Sequence, residues 1–280
     1  VTRQWCGDCW AHATVGAWEA DINTALDSAE YDRDLSQQQV VSCSGAGSCS
    51  GGNFAGYYIR VTGLFDESCF PYSGTNEPCS LRCADWIDRI YFRALSTYSA
   101  GGGGLDNMKA LVQKHPTYTT MTVYDDFPSY SGGVYEHTWG GYSGGHAVVV
   151  AGWNDADSCW ICKNSWGTGW GESGYFRIKY GDSNCGRSGY HMPVGARLWV
   201  QSPIGRINPK IGYTFPGVDS TVNAGAHSPV MGDGDTVLAC AGAQLFGFRR
   251  DSSFSADSFE FMMVGPSELI WEWDTITGIP

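Results

Sequence analysis

A chain of 280 residues with 42% hydrophobic and 14% aromatic side chains can fill the core of one large domain or two ordinary ones. Only 16% of residues are charged, and the net charge of -12 is scattered rather than gathered in a tail, which argues against nucleic acid or an anionic membrane as partner. Eleven cysteines do not suit a reducing cytosol, and the odd count leaves at least one thiol unpaired.

No apolar run approaches the roughly 18–20 residues that span a bilayer, and the chain opens at Val1 without a charged and apolar leader. A soluble chain that has already lost its leader is expected, secreted or extracellular, with a lysosome-like or periplasmic compartment as the alternative.

Between Asp8 and Asp27, Val15, Trp18, Ile22 and Leu26 keep the three-to-four spacing of a helix, with Asp8 placed to cap it and Cys9 opening it. Ser36 followed by Gln39 predicts a second start as a capping box, and a short helix is expected over 53–61, ahead of Gly63. The first hundred residues therefore read as helical. Beyond the glycine run 101–104, Leu105, Met108, Leu111 and Val112 predict a helix that Pro116 must end.

Segments 121–124, 146–153, 159–163 and 174–180 are β-rich between Gly, Asn and Asp clusters, as in an antiparallel sheet or barrel. After residue 194 the texture changes again, with strands expected at 198–201, 236–249, 259–264 and 269–273. The tail 195–280 is long enough to fold as a small β-sandwich, which is the expected module.

A cysteine at a helix start sits at the positive end of the macrodipole, which favours thiolate, and a neighbouring imidazolium favours it further. Cys9 is thus the candidate nucleophile. A redox reading of Cys6-x-x-Cys9 needs a strand before the motif, and only five residues precede Cys6. A zinc site shared with Cys159-x-x-Cys162 would join pairs far apart in sequence and outside any knuckle-like loop. No metal or cofactor is expected.

His146 follows Gly144 and Gly145 at the start of a strand, which predicts an imidazole exposed at the strand's mouth. Asn164 could accept the imidazole N–H and fix its tautomer without adding a charge, with Trp166 shielding the bond. A simple turn after a strand accounts for Asn164 and Trp166 equally well when they are taken alone.

Through CGDCWAHA, LSQQQVVSC, CSGGN, Phe70-Pro71-Tyr72, GGHAV and KNSWGTGWGESGYFRI, residues 1–194 resemble the papain-like cysteine proteases. VYDDFPSYSGGVYEH followed by GGHA is most similar to the cathepsin B branch. Asp8 departs from the Ser or Ala of the nucleophile signature.

The resemblance implies an α+β, two-lobed fold, a helical left lobe beside an antiparallel β-barrel right lobe, with the all-β module appended. It also implies acyl transfer by Cys9, His146 and Asn164, with the Cys9 N–H and the Gln4 side chain as oxyanion donors. Gln4 stands one residue closer to Cys9 than in the family. Protein or peptide substrates and an inhibitory pro-segment follow as partners.

The same resemblance assigns Gly51 and Gly52 to the substrate backbone, and Phe54, Ala147 and Tyr190 to an apolar second specificity pocket, with Gly145 and Trp166 also lining the cleft. It pairs Cys6 with Cys49, Cys43 with Cys79 and Cys69 with Cys83. Cys162 to Cys185 is a further guess, with Cys159 and Cys240 left open. The cathepsin B branch carries a long histidine-bearing loop over the primed end of its cleft, and the corresponding stretch here, 72–83, is short and lacks a histidine, so the resemblance implies an open cleft and endopeptidic action. The competing reading is an inactive protease-like binding or adhesion protein, and for the tail a role in docking to a surface or polymer.

Overall fold

The computed structural model describes residues 1–26, 33–101 and 104–196, together with the backbone of the strands at 198–201, 212–214, 230–231, 236–255 and 258–277. The chain divides into two units, Val1–Ile90 with Ala94–Pro193, and Tyr91–Arg93 with Val194–Pro280.

In the first unit, α1 (Cys9–Ala25) buries Trp10, Ala11, Val15, Trp18 and Ile22, and also His12, Thr14 and Asp21. A helix buried on that many sides is a central element, not an amphipathic cover. Thr14 returns its hydroxyl to the Trp10 carbonyl at 2.7 Å, so its burial leaves no donor unpaired. Asp8 does not cap this helix: its side chain makes no cap hydrogen bond and turns inward instead.

α2 (Gln37–Cys43) does start as expected, with Ser36 Oγ accepting the Gln39 N–H at 3.0 Å. The Gln39 side chain does not complete the box. Its Oε1 accepts the Phe65 N–H at 2.9 Å and its Nε2 donates to the Gly63 carbonyl at 3.0 Å, tying α2 to the following loop.

The third helix, α3 (Gly56–Val61), begins three residues later than the composition suggests. Much of 62–91 is short 3-10 turns and loop, pinned by disulfides, so the first hundred residues are less helical than expected. α4 (Gly104–Val112) ends before Pro116, as the ring requires.

Strands β1 (Gly47–Ser48) and β2 (Gly51–Gly52) form a small antiparallel ladder. β3 (Phe92–Ala94) lies mostly in the second unit. The large sheet uses β4 (Tyr98–Gly101), β5 (Thr117–Tyr124), β6 (Val134–Tyr135), β7 (Tyr142–Asn154), β8 (Cys159–Lys163), β9 (Tyr175–Lys179) and β10 (Ser188–His191). Its order is β4-β10-β5-β7-β8-β9-β6.

The strands at its two ends, β4 and β6, are not paired with each other among the described residues, so the expected barrel is an open sheet, and its β6–β9 pair is parallel. β4 and β10 carry little of the alternation that betrays a strand. Glycines and small residues leave them looking like loop.

One face of this sheet is packed by aromatics. Phe127 is fully buried against Tyr135, Trp166, Trp170 and Phe176, with ring centroids 5.0–5.4 Å apart. Phe127→Ala is expected to destabilise the first unit by about 3–5 kcal/mol, read as a lower urea midpoint by tryptophan fluorescence; an unchanged midpoint would remove this ring from the core.

Three disulfides join Cys6 to Cys49, Cys43 to Cys79 and Cys69 to Cys83, as the resemblance implied. Cys162 and Cys185 are not bridged: their sulfurs lie 3.9 Å apart, a thiol contact between two buried side chains. Cys159 is a buried free thiol, and the side chain of Cys240 lies outside the described residues.

In the second unit β3 pairs with β11 (Val194–Ala196). A separate sheet holds β12 (Leu198–Gln201), β13 (Gly212–Thr214), β14 (Val230–Met231), β15 (Thr236–Ser255) and β16 (Ser258–Thr277) in the order β13-β12-β16-β15-β14. β16 continues past Gly265 and Pro266, where the sequence suggested a loop between two strands, but its pairing with β15 shifts register there, from Ser267 opposite Gly247 to Met263 opposite Arg249. The packing of a second layer, which a sandwich needs, lies outside the described residues.

Candidate active site

Cys9 is the first residue of α1, so its N–H belongs to the first turn, whose donors have no partner within the helix. Its sulfur is half-buried and receives the Ala147 N–H from β7. Ala147 follows His146, and that contact therefore brings thiol and imidazole to the same cleft, which both line.

His146 pairs with Met121 across β5–β7, and Val149 pairs with Lys163 across β7–β8. Because the second pair is antiparallel, the chain leaving β8 at Asn164 runs back toward His146. His146 Nε2 and Asn164 Oδ1 meet at 2.8 Å. The Ser165 N–H also donates to that oxygen at 2.8 Å, which fixes the amide orientation and makes Oδ1 the acceptor. Nε2 must then carry the proton, leaving Nδ1 as the basic nitrogen.

The imidazole is buried, 6% exposed, and not open at the strand's mouth as expected. Trp166 accounts for this. Its ring lies 5.1 Å from the imidazole and is itself held by Phe127 and Trp170.

Burial pushes His146 down to about 4, opposed by the Asn164 bond, and pushes the Cys9 thiol above its ordinary range, opposed by the Ala147 and Trp10 N–H groups. Each charge alone is disfavoured in this cleft. A proton moving from thiol to imidazole creates both charges together, and their attraction offsets the cost.

Gln4 lines the same cleft. Its backbone N–H donates to the Ser165 carbonyl at 2.8 Å, its Oε1 accepts from Ser165 Oγ at 2.6 Å, and its Nε2 donates to the Cys6 carbonyl at 2.9 Å. One of the two amide hydrogens is used in that last bond.

Gly51 and Gly52 are exposed along the cleft. Gly51 has φ +122°, and a Cβ on Gly52 would collide with the Trp10 ring, so both positions require glycine. Gly145 is exposed on the facing strand and also lines the cleft.

Phe54 stacks on Tyr190 at 4.7 Å and tilts against Tyr118 at 4.9 Å. Tyr118 and Ala147 line the cleft. Tyr118 escaped the sequence reading because the expected strand, 121–124, began after it; its register partner, Tyr190, is what places it in the aromatic group.

Asp8 was also missed, although its departure from the family signature was the available signal. It is fully buried beside the nucleophile, its Oδ2 accepting the Tyr72 hydroxyl at 2.7 Å and lying 3.8 Å from His12 Nε2. His12 in turn meets Thr2 Oγ1 through Nδ1 at 2.8 Å. Burial raises the Asp8 carboxyl, opposed by the Tyr72 bond, and its charge adds to the upward push on Cys9.

Asp8→Ser is therefore expected to move the pH profile of Cys9 alkylation to lower pH, because thiolate then forms without a facing carboxylate. An unmoved or upward-shifted iodoacetamide profile would contradict it.

The sequence pattern of the papain family cysteine proteases matches residues 2–193. The cathepsin B-like CP3 of Giardia intestinalis is 38% identical over 200 residues, and the match spans 66% of each chain, just under two thirds of that relative's length. Among solved structures, proCathepsin B S9 from Trypanosoma congolense superposes with a TM-score of 0.60 at 26% identity, over 69% of this chain and 70% of that one. A cysteine protease of Carica candamarcensis in complex with E-64 gives 0.56 at 25% identity, over 68% of this chain and 91% of that one. With the cysteine, histidine and asparagine motifs all inside the matched span, the chain belongs to the papain family of cysteine proteases.

Proposed function

We propose that the chain is a secreted cysteine endopeptidase that cleaves peptide bonds through a thioester intermediate. The observation that carries this reading is the 2.8 Å bond from His146 Nε2 to Asn164 Oδ1 in the cleft that also holds the free thiol of Cys9.

The Cys9 thiol gives its proton to His146 Nδ1, and the sulfur attacks the peptide carbonyl carbon, whose π electrons move onto oxygen. The Cys9 N–H and the remaining Gln4 amide hydrogen receive that oxyanion. As the tetrahedral species collapses, imidazolium Nδ1–H protonates the departing amine and the C–N bond breaks, leaving a thioester. Water then gives a proton to Nδ1 and attacks the thioester carbon. Collapse releases the carboxyl product and returns the thiolate–imidazolium pair.

The aromatic group of Phe54, Tyr118 and Tyr190 favours an aliphatic or aromatic side chain in the second non-prime pocket over arginine. The short, disulfide-pinned stretch 72–83 leaves the primed side open, which suits cutting within chains. An inhibitory pro-segment accompanies this reading, in line with the procathepsin neighbour. Residues 1–194 form the protease domain, and 195–280 a β-sandwich-like module that docks to a surface or polymer. No described helix is long and apolar enough to cross a membrane.

A peptide-library digest read by mass spectrometry, wild type beside Cys9→Ala, tests these points together. Internal cuts after an apolar penultimate residue in wild type alone are expected. Release of C-terminal dipeptides only would overturn the endopeptidase assignment, and no cleavage at all would favour a binding protein.

A further inference from the structure

On α1, about three turns beyond Cys9, Asp21 is fully buried. Its Oδ2 accepts the Met192 N–H at 2.8 Å, while Oδ1 has no hydrogen-bond partner. A carboxylate half-satisfied in a protein interior is costly, so what faces the free oxygen matters.

Two imidazoles face it. His115 Nδ1 lies 3.2 Å from Asp21 Oδ1, and the His115 backbone is anchored to the Leu111 carbonyl at 3.1 Å. His191, the last residue of β10, stacks its ring on His115 at 4.7 Å and on Tyr98 at 5.2 Å. Asp21 Oδ1, His115 Nδ1 and His191 Nδ1 are all buried without a hydrogen-bond partner, and one ligand atom from each of the three residues lies within 4.8 Å of the other two.

An Asp–His ion pair would satisfy only one of the two rings. Two imidazoles beside one carboxylate are a donor set for a borderline divalent ion, and two nitrogens among three ligands disfavour calcium and magnesium.

We propose that Asp21, His115 and His191 form a binding site for a divalent transition-metal ion of the zinc class, with a fourth position open to water. The Met192 N–H on Asp21 Oδ2 is the outer contact that orients the carboxylate. The two rings lie nearly parallel, 7° apart, so each must tilt out of the stack for both lone pairs to reach one ion. Lys114 opposes the added charge and Tyr98 flanks the site. Bound there, the ion would tie α1, which begins at Cys9, to β10, which carries Tyr190 on its opposite face.

The test uses the full chain carrying Cys9→Ala, so that the nucleophile does not compete for metal. Zn²⁺ titration by calorimetry should give one site per chain, and Co²⁺ should give the visible bands of a four-coordinate nitrogen and oxygen site with no thiolate charge-transfer band. His191→Phe and His115→Phe keep the stacked rings and remove the ligand nitrogen, and Asp21→Asn keeps an acceptor for Met192. Each should weaken Zn²⁺ binding by more than the roughly 10–100-fold typical of an outer contact, while circular dichroism stays that of the folded chain. Absence of stoichiometric binding would overturn the proposal. So would binding unchanged in both histidine variants, or a thiolate band placing the ion on Cys162 and Cys185.

Discussion

Cys9→Ala is expected to lower kcat/KM for a peptide substrate by about 10⁵–10⁶-fold, the scale seen when a covalent nucleophile is removed from a coupled catalytic group. The prediction follows from the distribution of sulfur. Six cysteines are bridged, and Cys159, Cys162 and Cys185 are buried. Among the described residues only Cys9 has a free thiol that is partly open, and it sits at a helix start with the Ala147 N–H on its sulfur. Cys9→Ser should also fail, because a hydroxyl at this helix end has too high a pKa for the imidazole to ionise. Serine activity within about tenfold of wild type, read in the same peptide assay, would show that the proton transfer does not depend on a thiol.

His146→Ala should cost about 10²–10⁴-fold in kcat/KM, since the variant loses both the acceptor of the thiol proton and the donor to the leaving amine. Asn164→Ala is expected to cost less and to act through the imidazole. The Asn164 bond raises the His146 pKa, so its loss makes imidazolium give up its proton at lower pH. The high-pH limb of the activity profile should therefore move toward acid in Asn164→Ala, with KM little changed. A structural role alone would lower the amount of folded enzyme and leave the limb where it was. The fully buried Asn164 Nδ2 has no partner, so Asn164→Asp removes an orphaned donor but places a charge beside the pair; that variant should raise the limb rather than lower it.

Much of the site was legible because its chemistry is written locally. A cysteine opening a helix, a histidine after two glycines and an asparagine before a tryptophan each announce a position, and the strand register does the rest. What could not be read is what depends on partners far along the chain. The burial of His146 needs Trp166, held in turn by Phe127 and Trp170. Asp8 looks like a helix cap because it precedes a helix, yet Tyr72 draws it inward.

The same limit explains the strands that escaped notice. β10 is short, carries a glycine and lacks alternation, and it is a strand because β4 and β5 flank it. The disulfides guessed from family spacing met their partners, whereas the Cys162–Cys185 guess had no such guide and found two thiols in contact instead. In the second unit the gap expected between strands at 259–264 and 269–273 is a register shift within one long strand, not a loop between two.

Mass-spectrometric mapping of the native chain after treatment with iodoacetamide is the most direct test of the assignment of Cys9. One adduct per chain on Cys9, appearing in step with the loss of peptide turnover and absent from His146→Ala, is the expected result. Turnover that persists after Cys9 is fully modified, or an adduct that maps to Cys159, Cys162 or Cys185 while Cys9 stays free, would contradict it.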